Sequence, residues 1–339
     1  MPYRAFLCVI VCLAACARAP EELVLSGPTM GTTYTVKIVA APKDVDGAAV
    51  RAAIDEVLSR IDRGMSGYRP DSEIEKFNAS RTTDWFEVSP EVAEVVRIAL
   101  EVSEQSNGAF DVTVAPLVKA WGFGAGEAPA SVPDDATLAR LRERVGYHKL
   151  HVRREAPSLR KDIPDLTVDL NGIAPGFAVD LLAERFRSMQ IGDFMIDIGG
   201  EVRTHGRNAR GERWRIAVER PIDTAQTPYA IVQLDDRAVT TSGEYRSYYV
   251  RDGHRYSHTI DPRTERPVEH DLASVVVIGA TAAEADAWAT AYNVLGAEAG
   301  LELATKRETP VMFIVSRGEQ LENRTTPQFE KYLAPERLE

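Results

Sequence analysis

Apolar and polar positions along the chain change period several times, and each change marks an element. Residues 33–40, TYTVKIVA, alternate and predict a strand. Val50, Ile54, Val57, Leu58 and Ile61 recur at helical spacing and predict an amphipathic helix. A second helix is predicted over 89–108, with Ser89 as N-cap, Pro90 at the first helical position and Gly108 as the stop. Pro133-Asp134 and Gly146 bracket a third. Residues 168–180, VDLNGIAPGFAVD, read as a buried strand, a glycine-rich turn and the start of a helix that runs on to about 192.

Beyond this helix, strands dominate. FMIDIGGEVRTHG, RWRIAVERP, YAIVQLDDRAVTTSG, RSYYVRDGHRYSHTI and LASVVVIG all read as strand, followed by a helix over 281–307 broken near Gly296 and a last strand, PVMFIVS. Several strands lie at hairpin spacing. The fold class predicted is α+β with mixed or antiparallel sheets and flanking helices, rather than a doubly wound parallel sheet. No internal repeat is visible. Residues 155–165 could divide two lobes or form an exposed loop.

Composition narrows the class. The chain has 339 residues, 44% of them hydrophobic, enough for a substantial core, and 27% charged, with no low-complexity tract. Its 51 acidic and 40 basic residues give a net charge of -11, which argues against a nucleic-acid partner. The N-terminus carries Arg4 and an apolar run too short to span a bilayer, ending in Leu13-Ala14-Ala15-Cys16. That ending resembles a bacterial lipobox; the other reading is an ordinary signal peptide cut near Ala19. The lipoprotein reading expects a signal peptide over 1–15, lipidated Cys16 with a tether to Leu25, a folded domain over 26–330 and a tail over 331–339. It puts the protein on the periplasmic side of a bacterial envelope, held to a membrane by its lipid anchor. The 3 cysteines lie at positions 8, 12 and 16, so the folded body has neither a disulfide nor a thiolate metal site.

Candidate chemistry is scattered. The turn at Asp169, Gly172, Pro175 and Gly176 has the makings of an anion cradle, since a strand, a glycine-rich turn and a helix N-terminus often hold a phosphate. Asp286 and Thr290 are four residues apart, stacked on one helical face, and suit a hard cation or simply form a polar stripe. His258 ends a predicted strand, where an imidazole serves as base, ligand or structural group. No H-x-x-x-H or H-E-x-x-H occurs, so a zinc hydrolase lacks its ligands. Asp111 follows Phe110 near the aromatic segment Trp121-Gly122-Phe123, and Tyr68 sits in a turn rich in Gly, Pro and Asp.

The order of the segments is more specific than any one of them. SGPTMGTTYTVKI, MSGYRPDSEIEKFN, GAFDVTVAPL, DLNGIAPGFAVD, IDIGGEVRTHG, AVTTSGEYRSYY, SHTIDPRTERPV and ADAWATAYNVLG together resemble the ApbE family of FAD:protein FMN transferases, over about residues 26–315. The resemblance implies two closely packed lobes with the flavin site between them. It implies covalent flavinylation: FAD is cut at its pyrophosphate, FMN is joined through its phosphate to a Thr or Ser hydroxyl of an acceptor redox protein, and AMP leaves. Met30 and Tyr68 match positions that pack on the flavin. Ala109, Phe110, Asp111, Asp169 and Ile260 match FAD contacts. Asp286, Thr290 and the carbonyl of Gly172 match ligands of Mg2+, and His258 matches the group that takes the acceptor's proton. On this reading the turn after Asp169 is a wall of a pyrophosphate and metal site rather than a P-loop. The chain departs from many relatives at Pro175, where a Lys would meet FAD phosphate, and at Ala289, where some carry an acid. Two other functions stay open: an FAD pyrophosphatase giving FMN and AMP, and a flavin-binding lipoprotein without turnover.

Overall fold

The structure is a computed structural model describing residues 21–123, 131–221, 227–243, 248–251, 253–318 and 320–335. The lipobox and Cys16 lie outside the described residues, as does the end of the C-terminal tail. An eight-stranded sheet forms the centre, in the order β1 (Glu22–Thr29), β2 (Thr32–Val39), β6 (Asp193–Ile198), β7 (Glu201–His205), β10 (Ala238–Gly243), β15 (Leu272–Gly279), β16 (Val311–Arg317) and β17 (Gln320–Thr325). Every neighbouring pair is antiparallel. A three-stranded sheet joins β3 (Phe86–Glu87), β5 (Ser158–Lys161) and β4 (Leu150–Arg153). Three further pairs are β8 (Trp214–Glu219) with β9 (Pro228–Leu234), β11 (Tyr248–Arg251) with β12 (His254–Ser257), and β13 (Ile260–Asp261) with β14 (Arg266–Pro267). The helices are α1 (Gly47–Met65), α2 (Glu73–Ala79), α3 (Pro90–Gln105), α4 (Ala115–Ala120), α5 (Asp135–Arg142), α6 (Ala174–Ser188), α7 (Ala282–Lys306) and α8 (Pro327–Glu330).

Alternation along the strands sends each sheet face into its own core. Tyr34, Val36 and Ile38 of β2 join Ile196, Val275 and Phe313 in the larger core with α1, α3, α6 and α7. Val202, Val239, Val276 and Ile314 face the other way, against Val218, Val232 and Leu234 of the β8–β9 hairpin. The caps expected at Ser89 and Pro90 are present, with Ser89 Oγ accepting from the Val92 N–H at 3.3 Å.

Four expectations need correction. The tether read as far as Leu25 ends earlier, because Glu22–Thr29 pairs with β2 through a tight turn at Met30-Gly31, where both residues have positive φ (46° and 72°). Residues 155–165 hold the turn and second strand of the β4–β5 hairpin, and the larger core runs unbroken on both sides of them. Val168–Leu170 is not a strand. It is an extended segment whose Val168 backbone pairs with the Asn78 side chain, at 2.7 and 2.9 Å. FMIDIGGEVRTHG is two strands, β6 and β7, folded back at Gly199-Gly200. The break expected near Gly296 is there: its φ of 74° and ψ of 177° kink α7. His270 Nε2 lies 2.7 Å from the Asn293 carbonyl beside this kink.

Candidate active site

The turn at 169–176 leads into α6, and Gly176 lets that helix start against the start of α7. A methyl group on Gly176 would lie 2.5 Å from the Ala282 carbonyl, so only glycine permits this approach. The contact aims the Gly176 N–H at Asp286 Oδ2, 3.3 Å away. The helix N-terminus thus serves a protein carboxylate. Further along α6, Asp180 accepts from the N–H groups of Ala282 and Ala283, both at 2.9 Å, and from Arg203 at 2.6 Å. These bonds satisfy the first turn of α7 and set the rotation of the face carrying Asp286 and Thr290.

That face forms one wall of a cavity of about 460 Å³. Asp286, Thr290, Gly172, Asp169, Ala109, Phe110, Asp111, Ile260 and His258 all line it. Gly172 faces Thr290: a methyl group on it would lie 3.5 Å from Thr290 Oγ1 and 3.4 Å from Phe110. Thr290 Oγ1 has no hydrogen-bond partner among the described residues. His258 is half-buried and stands edge-on to Phe123, with ring centres 6.4 Å apart.

Met30, Tyr68 and Pro175 line a different cavity, of about 660 Å³, between the β1–β2 turn and the end of α1. Asn171 borders both cavities, so the Asn171-Gly172 turn is the wall they share. Met30 and Tyr68 are exposed, Tyr68 at 74%. Pro175 occupies the first turn of α6 and bears on this second cavity, away from Asp286 and His258. The position where a Lys was expected to meet phosphate therefore lies on the Tyr68 side.

Two of the acids also make bonds within the protein. Asp111 accepts from the Thr113 N–H, the Thr113 hydroxyl and the Tyr147 N–H, at 2.8, 2.6 and 2.9 Å. These bonds set the shape of the 109–114 turn, from which Asp111 lines the cavity. Asp169 accepts from the Asn171 N–H at 2.9 Å and donates its own N–H to the Val112 carbonyl at 2.7 Å, tying the two turns together. Buried Lys161 donates to the carbonyls of Phe77, Asn78 and Leu166 at 3.1–3.4 Å, fixing the segment that enters this turn.

Electrostatics marks the floor of the cavity. Burial, helped by the charge of Asp180, pushes Asp286 up to about 7 even though the Gly176 N–H opposes the shift. Glu201, at the start of β7, also lines the cavity. Burial and then the charge of Asp286 raise it well above the usual carboxylate range. Glu201 was missed from the sequence; an acid directly after the Gly199-Gly200 turn was the available signal. Asp180 was missed as well, its partners being distant along the chain.

The donors fit a hard cation. Asp286 carboxylate, Thr290 hydroxyl and Gly172 carbonyl supply oxygen only, beside Glu201, whose pKa burial raises well above the usual carboxylate range. Among the described residues no group of three or more His, Cys, Asp or Glu could hold a metal.

Comparison with known proteins agrees with this architecture. The chain is 39% identical over 328 residues to the FAD:protein FMN transferase of Vibrio cholerae, covering 97% of this chain and 98% of that one. It is 36% identical to the Escherichia coli K12 protein of the same name, covering 94% and 91%. The solved structure of the flavin transferase ApbE from Vibrio cholerae superposes with a TM-score of 0.85 at 39% identity, over 93% of this chain and 100% of that one. The apo form of the Pseudomonas stutzeri flavinyl transferase ApbE gives 0.84 at 37% identity, over 92% and 97%. The ApbE family profile matches residues 30–314, and this chain belongs to the ApbE family.

Proposed function

We propose that this chain is an FAD:protein FMN transferase that moves FMN from FAD to a Thr or Ser hydroxyl of an acceptor redox protein, with Mg2+, releasing AMP. One observation carries the reading. His258, Asp286, Thr290 and Gly172 share one cavity, and a second cavity lined by Met30 and Tyr68 adjoins it across Asn171. FAD spans such a pair, with its isoalloxazine ring beside Tyr68 and its diphosphate beside Asp286.

The acceptor oxygen attacks the phosphorus of the FMN moiety. The bond from that phosphorus to the bridging oxygen breaks, and AMP leaves with the electron pair. His258 takes the hydroxyl proton, help worth roughly 10²–10⁴-fold. Asp286, Thr290 and the Gly172 carbonyl would hold Mg2+, which would supply positive charge to offset that of the diphosphate. The α6 N-terminus and Asp180 keep Asp286 in place. We further propose that Cys16 carries lipid and anchors the protein on the periplasmic side of a membrane. The lipobox supports this, and β1 begins at Glu22, so the anchor would lie close to the folded body.

The test is co-incubation of the purified protein with FAD, Mg2+ and candidate acceptors, followed by mass spectrometry of the acceptors. FMN mass on a Thr or Ser, with AMP released in equal amount, is expected. Release of FMN and AMP without any labelled protein would replace transfer with FAD hydrolysis, and no turnover would leave a flavin binder.

A further inference from the structure

The central sheet has a gap beside the active cavity. β10 pairs with β15 along its whole length, from Ala238 opposite Gly279 to Gly243 opposite Ser274. With β7 it pairs only at Ala238 and Val239. β7 begins at Glu201, directly after Gly199-Gly200, so the chain that could face the rest of β10 has already turned back into β6.

The phase of the hydrogen bonds shows which groups are left over. The Thr204 N–H donates to the Arg237 carbonyl, so Arg237 directs its peptide groups toward β7. With the strand period of two, Val239, Thr241 and Gly243 do the same. Ser242 is out of phase and turns to β15, where its carbonyl accepts from Ser274 Oγ at 3.3 Å. Thr241 and Gly243 each aim an N–H and a C=O into the gap, and nothing among the described residues pairs with them. The same two residues border both the cavity of Asp286 and His258 and a groove of about 410 Å³ on the opposite sheet face. The gap therefore joins an unpaired strand edge to the candidate reaction centre.

We propose that the acceptor protein presents its Thr or Ser on an extended segment that adds as a strand to this edge of β10, in line with β7. The inference rests on the transferase reading and supplies what that reading lacks, a way to hold a polypeptide at the site. Strand addition uses main-chain hydrogen bonds for affinity and alternate side chains for selection. Side chains beside Thr241 and Gly243 would lie over the outer groove, against Val202, Ile216 and Val218. A side chain beside Ser242 would lie on the α7 face, where Ser242 Oγ accepts from Asn293 Nδ2 at 3.3 Å and the cavity opens onto Asp286 and His258. The reacting hydroxyl belongs beside Ser242, and its two sequence neighbours face the groove.

The test uses the unaltered protein and a synthetic peptide spanning whichever Thr or Ser gains FMN mass in the co-incubation above. N-methylation of either neighbour of the hydroxyl residue removes an N–H that faces β10, and should raise the peptide KM about tenfold. N-methylation of the hydroxyl residue itself, whose N–H points away, should leave KM unchanged. Hydrogen exchange should show the amides of Thr241 and Gly243 gaining protection when the peptide binds. A labelled peptide with no such alternation, or with no protection at Thr241 and Gly243, overturns strand addition and leaves the transferase reading standing. If no acceptor gains FMN, the transferase reading fails and takes the strand with it.

Discussion

Removing the Asp180 carboxylate should damage the site without touching any ligand. Asp180 holds two N–H groups of α7 and the guanidinium of Arg203, at 2.6–2.9 Å, with both side chains about nine-tenths buried. The pair is poorly compensated: burial raises Asp180 against the pull of its three donors, and Arg203 Nε has no partner among the described residues. Breaking such a pair from one side leaves the other charge stranded and costs about 3–5 kcal/mol. For a chain this long that is roughly 4–7 °C in Tm. Asp180→Asn keeps an acceptor oxygen for α7 but still strands the Arg203 charge, so it should fall at the lower end of that range, about 3 kcal/mol. Replacing both partners, Asp180→Leu with Arg203→Met, should recover part of the Asp180→Ala loss, because a buried ion pair gains little over apolar packing. Thermal unfolding of the four proteins measures this cycle, and Mg2+ titration calorimetry measures the displacement of Asp286 that follows when the start of α7 loosens. An Asp180→Ala loss below about 1 kcal/mol with unchanged Mg2+ affinity would refute the tether.

Asp286 has its folded pKa raised to about 7, so in chelator the stability present while it is protonated is lost as pH rises through 7. Asp286→Asn should flatten that part of the Tm curve, and in the wild type Mg2+ affinity by calorimetry should fall about tenfold per pH unit below 7 as the ion competes with the proton. His258→Ala should keep FAD and Mg2+ binding while transfer falls roughly 10²–10⁴-fold; an unchanged single-turnover rate moves the base elsewhere. Tyr68→Ala should weaken FAD binding about 2–10-fold with kcat little changed, by flavin fluorescence and steady-state kinetics. Cys16→Ser should move the protein from the membrane to the soluble fraction, and unaltered fractionation argues for plain signal cleavage.

The long helices were legible because their cores repeat at helical spacing and their caps are local: Ser89, Pro90 and the break at Gly296 announce themselves within a few residues. That Asp286 and Thr290 stack on one face of α7 was legible for the same reason. The errors arose where tertiary contacts overrule local pattern. Val168–Leu170 is apolar enough for a strand, but its polar partner is the Asn78 side chain rather than a neighbouring strand. Gly199-Gly200 sits inside a run that alternates on both sides, so the fold-back was invisible to periodicity. α2 has seven residues, too few to display a period. That Tyr68 and Met30 share a cavity distinct from that of Asp286 depends on how a hairpin turn and a helix end meet, and no single stretch of sequence carries it.

Lys161 has a consequence of its own. Its amine is fully enclosed, its pKa is lowered by burial, and it bonds three carbonyls from two separate segments beside the site turn. A reagent that acylates amines can reach it only when those segments part. The rate at which Lys161 is labelled, set against that of exposed lysines on the same molecule, therefore reports how often the wall of the site opens in the folded protein. A single mass-spectrometric peptide would show whether FAD or an acceptor holds that wall closed.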